Sequence, residues 1–448
     1  MEFSRALVAG LGIAGEEVAR CLLAHGVDVV AVDDAIDERI RGRAAALGTD
    51  LVDDIGPDRI DALLDTVDAV FPSPGLPEAH PITMAARASG VRVLSEFDLA
   101  RMLDTRPIVA ITGTDGKTTV TTLVTRMLEA SGVRAIACGN TETPLVAAIG
   151  DPRWQVMVVE ASSFRLATTE RFEPMVAVWL NFAPDHLDAH VSLASYEAAK
   201  ARIWRDMDVD SGLAVANVDD PVVMANLDPR LRTVTFGGEG SGADATVRDG
   251  MLVLPDGTSL LAVAEMSRRF PHDVDNALAA SVAAMAAGAD PEGIREVLRS
   301  FTGLAHRISF VAERDGIRWY DDSKATTPHA ALTAVGAFDS VVLLAGGRNK
   351  GLDLSVLASA VPPIRAVVAI GEASAEVAEA FAGRCPVAQV ETGLDDAVRR
   401  ARELAEAGDA VVLSPGCTSF DWFESYAQRG DEFARSVNRL LDESGSRR

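Results

Sequence analysis

Short runs of β-branched and aliphatic residues alternate along the chain with stretches rich in Ala, Leu, Glu and Arg, whose apolar positions recur at helical spacing. This rhythm predicts strands joined by covering helices, the α/β pattern of parallel sheets. Arg5–Ala9 and Val27–Val32 predict the first two strands, with a helix from about Gly15 to Ala24 between them. Ala69–Phe71 and Val91–Leu94 read as later strands of the same sheet, and Glu96 to Leu103 as a helix. A second sheet is predicted from Ile108–Ile111, Val133–Ala137, Val156–Val159 and Val176–Leu180. The Gly-rich stretch from Phe236 to Leu261 carries a hairpin signal at Asp249-Gly250. Helices near Asn276–Ala287 and Pro291–Ser300 precede a third alternating unit, with strands near Val341–Ala345, Val367–Ile370 and Ala410–Leu413. Breaks at Arg106-Pro107 and Thr302-Gly303 mark the changes of unit. The expected domains are 1–96, 97–304 and 305–448.

Composition supports a chain with several cores. Of 448 residues, 48% are apolar, and the formal net charge is −24. That acidity argues against nucleic acid or a membrane surface as a partner, because both call for a basic field. The longest apolar stretch, Ala277 to Ala289, is shorter than the ~20 residues of a membrane span and predicts a buried Ala-rich helix instead. Cys21, Cys138, Cys385 and Cys417 are scattered, which fits neither a disulfide framework nor a zinc ribbon. Met1 to Ala9 lacks the basic start of a secretion signal, so a soluble cytoplasmic protein is expected. The basic residues hold one sharper fact: only Lys117, Lys200, Lys324 and Lys350 are Lys, and every other one is Arg. A Lys is a compact point charge on a thin stem, so sites closed to the wide guanidinium fork accept it.

The first such site is Thr112-Gly113-Thr114-Asp115-Gly116-Lys117-Thr118-Thr119, between a buried strand and the predicted helix Val120–Glu129. Glycines let backbone N–H groups face an anion, and a helix start adds positive potential. Lys117 would reach the β- and γ-phosphates and Thr118 could ligate Mg²⁺. The strict phosphate-loop pattern fails at Ile111, where its first Gly would stand. Glu160 ends the strand Val156–Val159, well placed for Mg²⁺ beside such a loop. The next strand leads to Pro184-Asp185-His186-Leu187-Asp188, and Lys200 lies in a helical stretch from Tyr196 to Ile203. An ammonium has no lone pair and cannot itself bind a metal. Near the N-terminus, Gly10-Leu11-Gly12-Ile13-Ala14-Gly15 followed by Asp33-Asp34 matches the dinucleotide fingerprint. Alone it suits an NAD enzyme. Beside a second nucleotide loop, a UDP-sugar fits equally well.

The loop Gly113-Thr114-x-Gly116-Lys117-Thr118-Thr119 resembles that of the Mur ligases and their relatives the folylpolyglutamate synthetases, ATP-dependent amide-forming enzymes on three-domain chains. The likeness runs along nearly the whole chain. It implies a Rossmann-like first domain, a P-loop-type central ATPase domain with a mostly parallel sheet and a Rossmann-like last domain. ATP would lie on Gly113, Thr114, Asp115, Gly116, Lys117, Thr118 and Thr119. The E-x-S-S and N-x-x-x-D-H-x-D strings look like those of the family and imply Mg²⁺ ligation by Glu160 and His186, with Thr118. The lysine of its A-K-x-R-I-type segment is carbamylated by CO₂, which implies that Lys200, as a carbamate, supports a second Mg²⁺.

The same resemblance implies UDP-sugar binding by Gly12, Ile13, Ala14, Asp33, Ser73 and Gly75, with Asn140 and His186 on the sugar–peptide part. Pro271-His272-Asp273-Val274-Asp275-Asn276 resembles the string that opens a helix with an adenine-contacting Asn, here Asn276. Arg307 and Asp322 are implied at ATP. Asp322-Ser323-Lys324-Ala325-Thr326 looks like the D-glutamate-adding branch, which implies that Lys324, Thr326, Lys350, Ser419 and Tyr426 hold that amino acid. Closure would bring Arg307, Lys324 and Lys350 over the centre.

Three residues depart from the family pattern: Asp115 stands for a common Asn, Arg165 for Gln and Tyr426 for Phe. The implied reaction joins D-glutamate to UDP-N-acetylmuramoyl-L-alanine through an acyl phosphate, using ATP and two Mg²⁺. The expected partners are those small molecules, without nucleic acid or membrane, and a monomer is expected.

Overall fold

The computed structural model describes residues 3–53, 55–186 and 189–445. Leu187 and Asp188 of the string that follows Pro184 lie outside the described residues. The chain divides into two compact units: Met1–Arg269 with Asp273–Phe301, and Phe270–His272 with Thr302–Arg448.

The first unit holds two parallel sheets. In one, β1 (Arg5–Ala9), β2 (Asp28–Val32), β3 (Asp50–Val52), β4 (Ala69–Pro72) and β5 (Arg92–Val93) take the order β3-β2-β1-β4-β5. Side chains alternate across a strand, so β1 serves two cores. Leu7 and Ala9 join Val30, Val70 and Ile82 on one face. Ala6 and Val8 join Val29, Phe71 and Phe97 on the other. The second sheet is built from β6 (Ile108–Thr112), β7 (Ala135–Gly139), β8 (Val156–Glu160), β9 (Val176–Trp179), β10 (Leu213–Asn217) and β11 (Thr233–Phe236), in the order β11-β10-β9-β6-β8-β7. The helix Glu96–Leu103 knits the two sheets together. Ser95 and Asp98 close its first turn in a capping box. Its Phe97 ring stacks on Phe172 at 4.5 Å. One continuous apolar cluster runs from Phe3 to Leu231 across both sheets.

A small antiparallel sheet, β12 (Thr246–Arg248), β13 (Met251–Val253) and β14 (Ser259–Ala262), follows. Its first turn is Asp249-Gly250, both with positive φ (49° and 72°), the conformation a two-residue hairpin loop demands. The helix Pro271–Ala286 is buried nearly all round by small side chains, as its Ala-rich sequence predicts.

The second unit is one sheet of β15 (Ser309–Arg314), β16 (Ile317–Asp321), β17 (Val341–Gly346), β18 (Ile364–Ile370), β19 (Val387–Val390) and β20 (Ala410–Leu413). Its order is β15-β16-β20-β17-β18-β19, and only the edge strand β15 runs antiparallel to its neighbour.

The structure corrects several element ends. The phosphate-loop helix starts at Lys117, not Val120, because Gly116 takes the left-handed conformation (φ 82°) and caps it. The first helix starts at Ile13, not Gly15, and the Ala-rich one at Pro271, not Asn276. Val133–Ala137 is replaced by Ala135–Gly139, and Val91–Leu94 shrinks to Arg92–Val93. β18 begins three residues before Val367. The periodicity predicts none of β3, β10, β11, β14, β15 and β19; most are short or lie at a sheet edge. Among the described residues no helix is long and apolar enough to cross a membrane.

Candidate functional site

Three loops in the first unit leave the C-terminal ends of adjacent strands, where parallel sheets place ligands. Strand β6 is central and leads into Gly113–Gly116; β8 beside it ends at Glu160, and β9 on its other side leads to Asn181. Asn181 grips the loop. Its Oδ1 accepts the N–H groups of Thr114 and Asp115 at 2.9 Å each, and its Nδ2 donates to the Asp115 carbonyl at 3.2 Å. A side chain at Gly116 would meet the Asn276 amide oxygen at 2.7 Å, so Asn276 closes over the loop from the Ala-rich helix.

Two of the four lysines converge on this loop. Lys117 Nζ donates to the carbonyls of Gly113 (2.8 Å) and Thr114 (2.7 Å). Lys200 Nζ donates to the same Gly113 carbonyl at 2.6 Å and sits 4.5 Å from the centre of the Tyr196 ring. Lys200 is 1% exposed. It shares the inward face of the helix Leu193–Arg205 with Tyr196, Ala199, Ile203 and Trp204. Burial, and next the charge of Lys117, push its amine well below the usual lysine range. The Tyr196 hydroxyl meets Thr114 Oγ1 at 3.2 Å, tying this helix to the loop.

Glu160 is buried, and its Oε1 accepts the Asn140 amide at 3.0 Å. Its Oε2 has no hydrogen-bond partner among the described residues. A buried carboxylate oxygen left unpaired is costly, and a divalent cation is the partner its chemistry suits. His186 takes a left-handed conformation (φ 55°), with its ring at 4.7 Å from Phe164 and 6.1 Å from Tyr196. Its Nε2 lies 3.2 Å from Asp185 Oδ2. No three His, Cys, Asp or Glu side chains cluster as a metal cage among the described residues. Mg²⁺, which keeps waters and substrate phosphates as ligands, does not need one.

The first sheet reverses strand order at β1, the switch point of such folds. There Gly10 (φ 87°) approaches Ser73 so closely that a Cβ would stand 2.6 Å from the serine Cβ, and one on Gly15 would strike the Gly10 carbonyl at 1.9 Å. Asp33 follows β2, and its carboxylate accepts the N–H groups of Leu11 (2.7 Å) and Ala35 (3.0 Å). Gly12 precedes the helix with no side-chain cap, and Ile13 is 61% exposed. Gly75 follows in the turn after β4, where the Ser73 carbonyl accepts the N–H of Leu76. The adjoining cleft, which Ala14 also lines, is walled by Ser73, Glu78, Glu96, Arg165 and His190.

In the second unit β16, β20 and β17 are adjacent, and the loops leaving them carry Lys324 and Thr326, Ser419, and Lys350 respectively. Arg348 and Thr418 exchange backbone hydrogen bonds at 3.0 Å, which holds the last two loops together. Lys324 Nζ lies 3.8 Å from the Tyr426 ring centre. Asp322 is buried, accepting Ser414 Oγ at 2.6 Å and the Ile308 N–H at 3.2 Å. Burial raises its carboxyl to about 7 despite those bonds. Arg307 stands between His306 (φ 60°) and Ile308 (φ 47°), two left-handed residues. His306 Nδ1 is 2.6 Å from Asp321 Oδ2.

Sequence reading gives Asn181 only as the first residue of the N-x-x-x-D-H-x-D string, with no role, and misses two further residues that organise these loops, Glu96 and Arg429. Arg429 is 1% exposed. It donates to Ser323 Oγ (2.8 Å) and to the carbonyls of Ser323 (2.8 Å), Cys417 (3.1 Å) and Thr418 (3.1 Å). It interrupts the apolar stripe Tyr426, Phe433, Val437, Leu440 of the last helix, and a charge on such a stripe was the available signal.

Residues 111–284 match the family described as Mur ligase middle domain, and residues 306–417 that described as Mur ligase, glutamate ligase domain. The chain is similar to the UDP-N-acetylmuramoylalanine–D-glutamate ligase of Desulfosudis oleivorans, at 39% identity over 98% of this chain and 97% of that one. It is similar to the protein of that name from Frankia casuarinae, at 41% over 96% and 93%. A UDP-N-acetylmuramate–alanine ligase from Thermotoga maritima shares the fold at a TM-score of 0.56 and 20% identity, over 100% of both chains.

Proposed function

We propose, for a chain that belongs to the Mur ligase family and within it to the UDP-N-acetylmuramoylalanine–D-glutamate ligases, the reaction of that branch. It is an ATP-dependent ligase that adds D-glutamate to UDP-N-acetylmuramoyl-L-alanine in peptidoglycan precursor synthesis. A carboxylate oxygen of the alanyl group attacks the γ-phosphorus, and the bond to ADP breaks. The D-glutamate nitrogen then attacks the acyl-phosphate carbon, loses a proton and expels phosphate. The observation that carries this reading is the loop Gly113–Thr119, on which Lys117 and Lys200 converge beside a carboxylate with one oxygen unpaired.

In this reading the protein's work is positioning and charge neutralisation. Backbone N–H groups of Gly113 to Thr119 and Lys117 receive the phosphates, and Asn276, Arg307 and Asp322 are assigned to ATP binding as well. Thr118, Glu160, His186 and the carbamate of Lys200 would hold Mg²⁺ at two sites, and the ion would neutralise phosphate charge when bound. The depressed pKa of Lys200 supports the carbamate, since only a neutral amine attacks CO₂. Its nitrogen bonds the CO₂ carbon and releases a proton to solvent, so a buried neutral amine becomes an anion. Gly12, Ile13, Ala14, Asp33, Ser73 and Gly75 take the UDP part, with Asn140 and His186 on the sugar–peptide part. Lys324, Thr326, Lys350, Ser419 and Tyr426 take D-glutamate.

We assign the three large sheets to domains 1–96, 97–304 and 305–448, Rossmann-like at both ends with a P-loop-type centre, in a monomer that works in the cytoplasm. Phosphate release should require both UDP-N-acetylmuramoyl-L-alanine and D-glutamate. Release with L-glutamate or meso-diaminopimelate and none with D-glutamate would overturn the assignment.

A further inference from the structure

A chain of four polar side chains, three buried (Glu96, Arg165 and Glu160) and one exposed (Asn140), runs into the candidate metal site. Glu96, from the helix that joins the two sheets, pairs with Arg165 Nε at 2.5 Å; the two side chains are 2% and 7% exposed. Arg165 Nη1 donates to Asn140 Oδ1 at 2.7 Å, and Asn140 Nδ2 donates to Glu160 Oε1 at 3.0 Å. An amide side chain has one accepting and one donating end, and a guanidinium only donates. The Arg165 donor therefore fixes Asn140 with its oxygen toward Arg165 and its NH₂ toward Glu160. That NH₂ occupies Oε1 and leaves Oε2 as the unpartnered atom. The Asn140 backbone N–H donates to the Glu160 backbone carbonyl at 2.8 Å, which fixes the main chain from which this amide projects.

We propose that Arg165, held by Glu96, is a positioning residue that sets the orientation of the Asn140 amide and thereby decides which oxygen Glu160 presents to the cation. The inference rests on the reading above that Glu160 faces a divalent cation. Groups one step behind a metal ligand typically change metal affinity 10–100-fold when removed.

Mn²⁺ serves as the probe: free Mn²⁺ is counted by electron paramagnetic resonance at fixed ADP, with the full-length protein in excess. Arg165→Met should weaken Mn²⁺ binding 10-fold or more. It also strands the Glu96 carboxylate in the interior, which can unfold the protein by itself. The double variant Glu96→Gln/Arg165→Met removes that stranded charge, and should still bind Mn²⁺ 10-fold more weakly while melting near the wild-type temperature. Arg165→Lys, which keeps a donor toward Asn140, should recover part of the affinity. In an Asn140→Ala background, Arg165→Met should cause no further loss of Mn²⁺ affinity, because the route it acts through is gone. Wild-type Mn²⁺ affinity in the folded double variant overturns the inference, as does a full additional loss in the Asn140→Ala background. Unchanged binding in Glu160→Gln overturns the metal assignment of Glu160, and this inference with it; weakened binding there beside an unaffected double variant overturns this inference alone.

Discussion

Each unit buries one cation against backbone carbonyls, and the two are used in opposite ways. Lys200 in the first unit places a single short bond on Gly113 and is forced by its surroundings toward the neutral amine. Arg429 in the second divides its donors among three carbonyls and a hydroxyl, and burial lowers it only to about 10, so it stays charged. A lysine taken out of water without a carboxylate partner can give up its proton, whereas a guanidinium spreads its charge over several acceptors and keeps it. The first arrangement favours a neutral amine, and the second staples loops.

Exchanging the two cation types is the hardest test of that contrast. Lys200→Arg should fold and lose 10²–10³ in kcat, on the order seen when one charge-stabilising group is removed. Phosphate-release turnover at the wild-type rate would end the carbamate reading. The converse, Arg429→Lys, should leave the KM for ATP within about two-fold, raise that for D-glutamate about ten-fold, and cost about 2 kcal/mol in chemical denaturation, since several carbonyls lose their donor. Equal effects on both KM values would mean that Arg429 does not act on the glutamate loops in particular.

Smaller changes sharpen the picture. Asn181→Ala deletes three bonds to the phosphate loop and should raise the KM for ATP several-fold and cost ~1–2 kcal/mol, read by steady-state kinetics and urea unfolding. The last concerns pH. Asp322 binds its proton more tightly folded than unfolded, with a folded value of about 7 against an ordinary 3.8. Its contribution to stability is therefore complete below the ordinary value and is lost as pH rises through about 7. Asp322→Asn should flatten the fall in melting temperature between pH 4 and 8, by a few degrees at most. An unchanged slope would place that titration elsewhere.

These contrasts also mark what the sequence reveals. Lys117 and its glycines are a local string after a buried strand, so the loop is readable within eight residues. Lys200 is readable as one of only four lysines, in a helical stretch that resembles the family's A-K-x-R-I-type segment, while its burial beside Tyr196 and Ile203 shows only in the fold. The pairings of Arg165 with Glu96 and of Arg429 with Ser323 are not, since these partners lie 69 and 106 residues away and are brought in only by the fold. Asn181 stands at a strand end like any other polar residue, and only the β6–β9 pairing shows that its amide faces the loop. Most interior strands with dense apolar runs are found from periodicity, β10 excepted, while edge strands such as β11 and β15, with half-buried faces, leave a weak pattern.

The neighbouring positions of β16, β20 and β17 have a consequence for engineering. The segments 322–326, 347–350 and 414–421 leave one edge of a sheet whose cores lie behind them. Amino-acid choice would then be a graft of fewer than twenty residues onto an unaltered scaffold. The graft must carry one foreign requirement with it: the new loops at 322–326 and 414–421 have to offer Arg429 a carbonyl or hydroxyl where the old ones did.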